Sequence, residues 1–223
     1  MTLTTREESS TKAQCFFIKT VRQRKWKLVK RALSSDDVRA RKWHSPICTH
    51  CGESHSVLML LCRHDPPLKL VESLLRSNPS TAFEKDCIKR TPLHMACEFG
   101  ASPAIVEKLL KQNPKGVKER DSSGRLPIHL ACISYSKSMG TRVPQAIIQN
   151  SLLEVLRLLL NHDPASILEK DRDQICPIES AILAGVNANI VHSLQKASET
   201  VRKKEPFQFF SSIAWGECRT KPM

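Results

Sequence analysis

One seven-residue phrase occurs twice in this chain, and its recurrence constrains the fold more than any other feature. Thr91-Pro92-Leu93-His94-Met95-Ala96-Cys97 is answered 35 residues later by Leu126-Pro127-Ile128-His129-Leu130-Ala131-Cys132. A fixed period of this length marks a chain built from stacked supersecondary units, none of which can bury its apolar face alone. Within the phrase, the Thr91 hydroxyl is suited to cap a helix. Pro92 and Pro127 fall at the first helical position, where a missing N–H costs nothing. Ala96 and Ala131 are small enough to let helices approach closely.

The period extends in both directions. Ser56-Val57-Leu58-Met59-Leu60-Leu61-Cys62 precedes the first phrase by the same spacing and keeps the capping hydroxyl, the apolar helix and the cysteine. Cys176-Pro177-Ile178-Glu179-Ser180-Ala181-Ile182 follows the second after 50 residues, with Glu179 at the histidine position. A second helix recurs as well, in Leu70–Leu75, Ile105–Leu110 and Val155–Leu160, with apolar pairs four apart on one face. Each ends at Asn78-Pro79, Asn113-Pro114 or Asp163-Pro164, because the residue before proline is pushed out of the α region. Seven residues after each proline stands an aspartate, Asp86, Asp121 or Asp171, and five later the next unit begins.

Asp121-Ser122-Ser123-Gly124-Arg125-Leu126-Pro127-Ile128-His129-Leu130-Ala131 resembles the ankyrin repeat, whose core is Asp-x-x-Gly-x-Thr-Pro-Leu-His-x-Ala. Asp86 to Ala96 matches the same pattern except for Lys89 at the glycine position, and Gln174 stands there in the third copy. The family's common Gly-Ala-Asp ending after the second helix is absent, which makes this a variant subclass. The resemblance covers residues 26–197 and implies an all-α solenoid of stacked helix-turn-helix units with inter-repeat finger loops. The expected organisation is a flexible leader over 1–18 and a repeat domain over 19–197. The domain divides into a degenerate half repeat at 26–55 and repeats at about 56–90, 91–125, 126–175 and 176–197. Residues 198–223 form a tail in which Phe207, Phe209, Phe210 and Trp215 either cover the last repeat or meet a partner or membrane surface.

Composition narrows the class further. Seven glycines and one tyrosine argue against a β-rich fold. The polar N-terminus is not a secretory signal, and no apolar run approaches a membrane span. Nine scattered cysteines fit free thiols in a reducing compartment, so an intracellular location, cytoplasmic or nuclear, is expected. The net charge of +13 is concentrated near the N-terminus, and Lys19 to Arg31 alone carries seven cations. That run is either the solvated face of a first helix with Trp26 and Val29 turned inward, or a patch for nucleic acid or an acidic surface.

Three stretches invite chemistry. Cys48, Cys51 and His55 have the spacing of zinc ligands, with His44 or His64 as a fourth, and an elongated inter-repeat finger is the alternative. Ile133 to Pro144, an insertion with Gly140 and Pro144 as breakers, is expected to project as a loop. His94 and His129 recur in register, so a structural role in the helix start is expected rather than catalysis. No nucleophile–base constellation or phosphate loop is visible, so no enzyme activity and no cofactor are expected.

Protein binding on a concave surface is therefore the expected function, since that is what the resemblance implies. Carried over onto this chain, the contact positions are Lys85, Ile88, Arg90, Glu98 and Phe99; Arg120, Ser122, Ser123 and Arg125; and Lys170, Arg172 and Asp173. Lys85, Arg90, Arg120, Arg125, Lys170 and Arg172 would line up as a basic stripe for an acidic protein partner. Association of nucleic acid or an acidic surface with the basic helix 19–31 is the alternative. The oligomeric state is left open.

Overall fold

The computed structural model describes residues 17–34, 44–45, 55–138 and 144–204. Helix α1 (Trp26–Ser34) is followed by a two-residue antiparallel pairing of β1 (His44–Ser45) with β2 (His55–Ser56). The rest is helical: α2 (Val57–Cys62) and α3 (Leu68–Ser77), α4 (Pro92–Glu98) and α5 (Pro103–Gln112), α6 (Pro127–Ser138) and α7 (Gln145–His162), then α8 (Pro177–Leu183) and α9 (Ala188–Lys204). Short 3-10 turns at Pro79–Phe83, Pro114–Lys118 and Pro164–Ile167 follow the second helix of the first three pairs. None of the described helices is long and apolar enough to cross a membrane.

The helix starts are built as the phrase predicts. Ser56 Oγ accepts the Met59 N–H, and Thr91 Oγ1 accepts the His94 N–H. The second helices stop at Asn78, Asn113 and Asp163, whose backbones turn to φ −145, −133 and −148 ahead of proline. The 3-10 turns begin at those prolines, which lack an N–H to donate.

The units stack in register. The inner helices α2, α4, α6 and α8 contact one another in sequence, as do the outer helices α3, α5 and α7. One apolar core runs through the stack from Leu58 to Leu194. Ile105, Leu109, Leu110, Ile128, Leu156 and Leu159 are fully buried in it, each contributing up to about 1.5–3 kcal/mol. Cys62, Cys97 and Cys132 are buried free thiols at equivalent places in three units. Burial pushes the Cys62 and Cys132 thiols up to about 12, which keeps them protonated.

A second cluster closes the stack at its N-terminal end. Phe17, Val21 and Val29 are buried against Leu61 and Leu70, with Trp26 partly buried beside them. Val29 thus turns inward as expected, and Phe17, assigned to the leader by the sequence, packs with it. The basic run is not one helix, however. Residues 17–22 are helical, the chain breaks at Arg24 with φ 52, and α1 starts at Trp26.

The insertion after Cys132 also differs from expectation. Instead of leaving the fold as a loop at Ile133, α6 continues to Ser138, and α7 begins early at Gln145. Tyr135 explains the extension: it is buried, and its hydroxyl accepts a hydrogen bond from Gln149 Nε2 at 3.1 Å. The added residues therefore lengthen two facing helices. Met139 to Val143 lies outside the described residues.

Candidate protein-binding surface

Three fingers share one geometry. In each, the aspartate N–H donates to the carbonyl four residues on: Asp86 to Arg90, Asp121 to Arg125 and Asp171 to Ile175, each at 3.0 Å. The aspartate Oδ1 then accepts two backbone N–H groups, as Asp121 does from Ser123 at 2.8 Å and Arg125 at 2.9 Å. This double acceptance closes the turn without help from distant parts of the chain. The fourth finger residue is left-handed in all three, with φ 62 at Lys89, 76 at Gly124 and 61 at Gln174. Lys89 and Gln174 thus keep the finger shape at a steric cost that glycine would not incur.

Adjacent fingers are tied together by the backbone. Ser122 N–H donates to Ile88 O at 2.8 Å, and Arg172 N–H donates to Ser123 O at 3.0 Å. Gly124 makes the second contact possible, because a Cβ there would lie 3.1 Å from both Cγ and N of Arg172. Ser122 and Ser123 are accordingly finger-pairing residues.

The histidines brace this arrangement. Leu126 N–H donates to His129 Nδ1 at 3.1 Å, and the opposite nitrogen meets Glu169 O at 3.1 Å and Ile175 O at 3.2 Å. Likewise Thr91 N–H donates to His94 Nδ1, and His94 Nε2 faces Arg125 O at 3.3 Å. One nitrogen accepts and the other donates, so each ring is neutral with its proton on Nε2. Burial holds both rings below the ordinary histidine range, against the pull of nearby carbonyls and aspartates. Each histidine thereby links the start of its own helix to the base of the following finger. Glu179 fills the same position in the last unit, accepting the Cys176 N–H at 2.7 Å, and no finger follows it among the described residues. Both rings are fully buried, which places them out of reach of a substrate.

The expected basic stripe is largely neutralised by its own neighbours. Arg90 bonds Asp86 Oδ2 at 2.8 Å and Glu98 Oε2 at 2.6 Å and is only 18% exposed. Arg125 pairs with Asp121 Oδ2 at 3.2 Å, and Lys85 pairs with Glu119 at 2.7 Å. Arg120 pairs with Glu169 and also donates to Gly124 O at 2.7 Å and Lys170 O at 2.9 Å. These four cations spend their charge fastening fingers and helix ends. Phe99, also expected at the surface, is partly buried with the Arg63 guanidinium 4.8 Å from its ring centre.

Lys170 and Arg172 differ. Their side chains are exposed and form no ion pair among the described residues, and the same holds for Lys89, which the family pattern does not mark as a contact. The only sequence signal at Lys89 is that a lysine occupies a glycine's place. Asp173 is exposed beside them, and Ile88 is partly buried. Lys89, Arg120, Lys170 and Arg172 line an open cleft of about 540 Å³ between the second and third fingers.

Cys48 and Cys51 lie outside the described residues, and His55 belongs to β2, where it pairs with Ser45. Among the described residues no three His, Cys, Asp or Glu side chains are grouped to hold a metal ion.

Residues 58–140 match the family model of ankyrin repeats, described as three copies, so this part of the chain is an ankyrin-repeat array. Such repeats are generally protein–protein interaction modules. No curated protein matches the chain. The stacked helix pairs and equivalent fingers continue beyond the matched stretch, through Asp171 to α9.

Proposed function

We propose that this chain binds a protein partner through its finger tips and the adjoining ends of the inner helices, and that the contacting surface of the partner is acidic. The observation supporting this most directly is that Lys89, Lys170 and Arg172 are exposed without an ion pair among the described residues, while Lys85, Arg90, Arg120 and Arg125 of the same fingers are paired with carboxylates. A rigid framework lowers the ordering cost of association, and unpaired cations speed and select an acidic encounter. Leu183, 75% exposed at the end of α8 in the register of Glu98, supplies an apolar contact on the inner-helix ends.

Peptide display against the immobilised full chain tests this reading. Selected peptides should be rich in Asp and Glu and should weaken at least about tenfold between about 50 and 300 mM salt. They should also lose affinity in a K170E/R172E double variant while tolerating Q149A. Peptides without acidic bias that ignore the double variant would sink the proposal.

A second reading has its own support. Lys19, Arg22, Arg24, Lys25, Lys27 and Lys30 are all exposed around the break at Arg24. Nucleic acid or an acidic surface would associate there with steep salt dependence. Loss of binding in a K25E/K27E variant, with the finger variant unaffected, separates the two.

A further inference from the structure

The cleft between the second and third fingers has a charge and donor pattern that narrows the partner's chemistry. Four cations, Lys89, Arg120, Lys170 and Arg172, face two carboxylates, Asp121 and Asp171, which leaves +2. The Arg120 fork is occupied by Glu169 and two carbonyls, so it positions the Lys170 backbone rather than a ligand. Asp121 is fully buried and cancelled by Arg125. Three cationic side chains outside any ion pair among the described residues remain at the cleft, two ammonium groups and one guanidinium, beside the exposed Gln174 amide.

We infer that this cleft seats a phosphate monoester dianion presented by a phosphorylated side chain of the protein partner. The inference rests on the protein-binding reading above and deepens it. A phosphorylated serine or threonine carries a charge of about −1.5 to −2 and three acceptor oxygens. That matches the local +2 and the three cationic donor groups better than a single carboxylate does, since one carboxylate leaves a positive charge uncompensated. The cleft is open, so a side chain on an extended segment reaches it without rearrangement. Its floor is stiff, because Arg172 N–H is fixed to Ser123 O and the Arg172 stem lies over Gly124. Asp171 opposes the anion: its Oδ1 accepts the Asp173 and Ile175 N–H groups, and its other oxygen accepts no hydrogen bond among the described residues. In the other two fingers an arginine, Arg90 or Arg125, covers that second oxygen, whereas here Ile175 stands in its place.

Titration calorimetry and amide chemical-shift mapping on the full chain test the seat. The probes are a phosphoserine pentapeptide of otherwise neutral residues, its serine and glutamate counterparts, inorganic phosphate, and vesicles containing a phosphoinositide. The phosphopeptide should bind at least about tenfold more tightly than the glutamate peptide, with shifts centred on Lys89, Lys170 and Arg172. Inorganic phosphate should compete, and the serine peptide should not bind. K170A/R172A should weaken the phosphopeptide at least about tenfold. D171N keeps an oxygen for both backbone N–H groups and should tighten binding. Equal affinity for glutamate and phosphoserine would overturn the dianion seat while leaving the acidic-partner reading intact. Retention on vesicles without phosphopeptide binding would overturn the assignment to a protein side chain, as would shifts confined to Lys19–Arg31. Failure of both the phosphopeptide and inorganic phosphate to bind, with acidic peptides still selected by display, would likewise remove the seat alone.

Discussion

Lowering the pH from 7.5 to 5.5 should destabilise this fold through two buried histidines. His94 and His129 each accept a backbone N–H at Nδ1 and direct Nε2 to a carbonyl of the next finger. Protonation of Nδ1 would turn two donors toward each other inside the core. Burial accordingly lowers both folded pKa values from the ordinary 6.5. The unfolded chain therefore binds more protons than the folded chain below that value. Stability is complete above the unfolded pKa and is lost as pH falls through it, at up to about 1.4 kcal/mol per pH unit for each ring. At pH 5.5 a ring that stays neutral in the fold costs about 1.4 kcal/mol, so the pair costs up to about 3 kcal/mol of a total typically 5–15. His64, whose pKa is lowered by burial and by Arg63, Arg24 and Arg22, is only partly buried and adds less. Urea unfolding at the two pH values reads the difference as a shift in midpoint at constant slope. A midpoint that does not move, or one that rises on acidification, would refute the assignment of neutral, doubly bonded rings.

Three further outcomes follow from the repeat geometry. Asn113 Nδ2 donates to Ala82 O at 3.2 Å across a repeat junction, so N113D, which sets a carboxylate oxygen against that carbonyl, should cost about 1–3 kcal/mol by urea unfolding. An unchanged midpoint would mean that the bond contributes nothing. Gln174 holds φ 61, so Q174G should raise stability by about 0.5–1 kcal/mol, whereas G124A at φ 76, with a Cβ pressed against Arg172, should lower it by at least about 1 kcal/mol. Equal effects of the two would contradict the left-handed fingers. R90A strips two carboxylates, Asp86 at 1% and Glu98 at 15% side-chain exposure, and should cost about 1–3 kcal/mol, whereas K85A, at an exposed pair, should cost under about 1. Thermal unfolding that ranks K85A as the more damaging would reverse that assignment.

The repeat was legible in the sequence because local rules and the global stack agree. Capping hydroxyls, proline at the first helical turn, Asn-Pro or Asp-Pro at the second helix end and the finger aspartate each act within a few residues of themselves. Their spacing therefore announced both the helix pairs and their order. The insertion escaped that reading because Ile133 to Ser138 is mostly polar, and the burial of Tyr135 and its hydrogen bond with the facing Gln149 are tertiary contacts.

The binding surface was only partly legible, for a different physical reason. Sequence determined that cations recur along the fingers, since Arg90, Arg125, Lys170 and Arg172 can be counted there. Which of them remain available for a partner was decided by distances between repeats and across turns. Arg90 reaches Glu98 eight residues away, and Arg120 reaches Glu169 from a different finger. Charge neutralisation depends on separations of a few ångströms between side chains whose spacing along the chain carries no such information. The sequence by itself thus determined the architecture, whose forces are short in range along the chain. Only the tertiary structure decided that, among the described residues, Lys89, Lys170 and Arg172 are the cations exposed at the cleft without an ion pair.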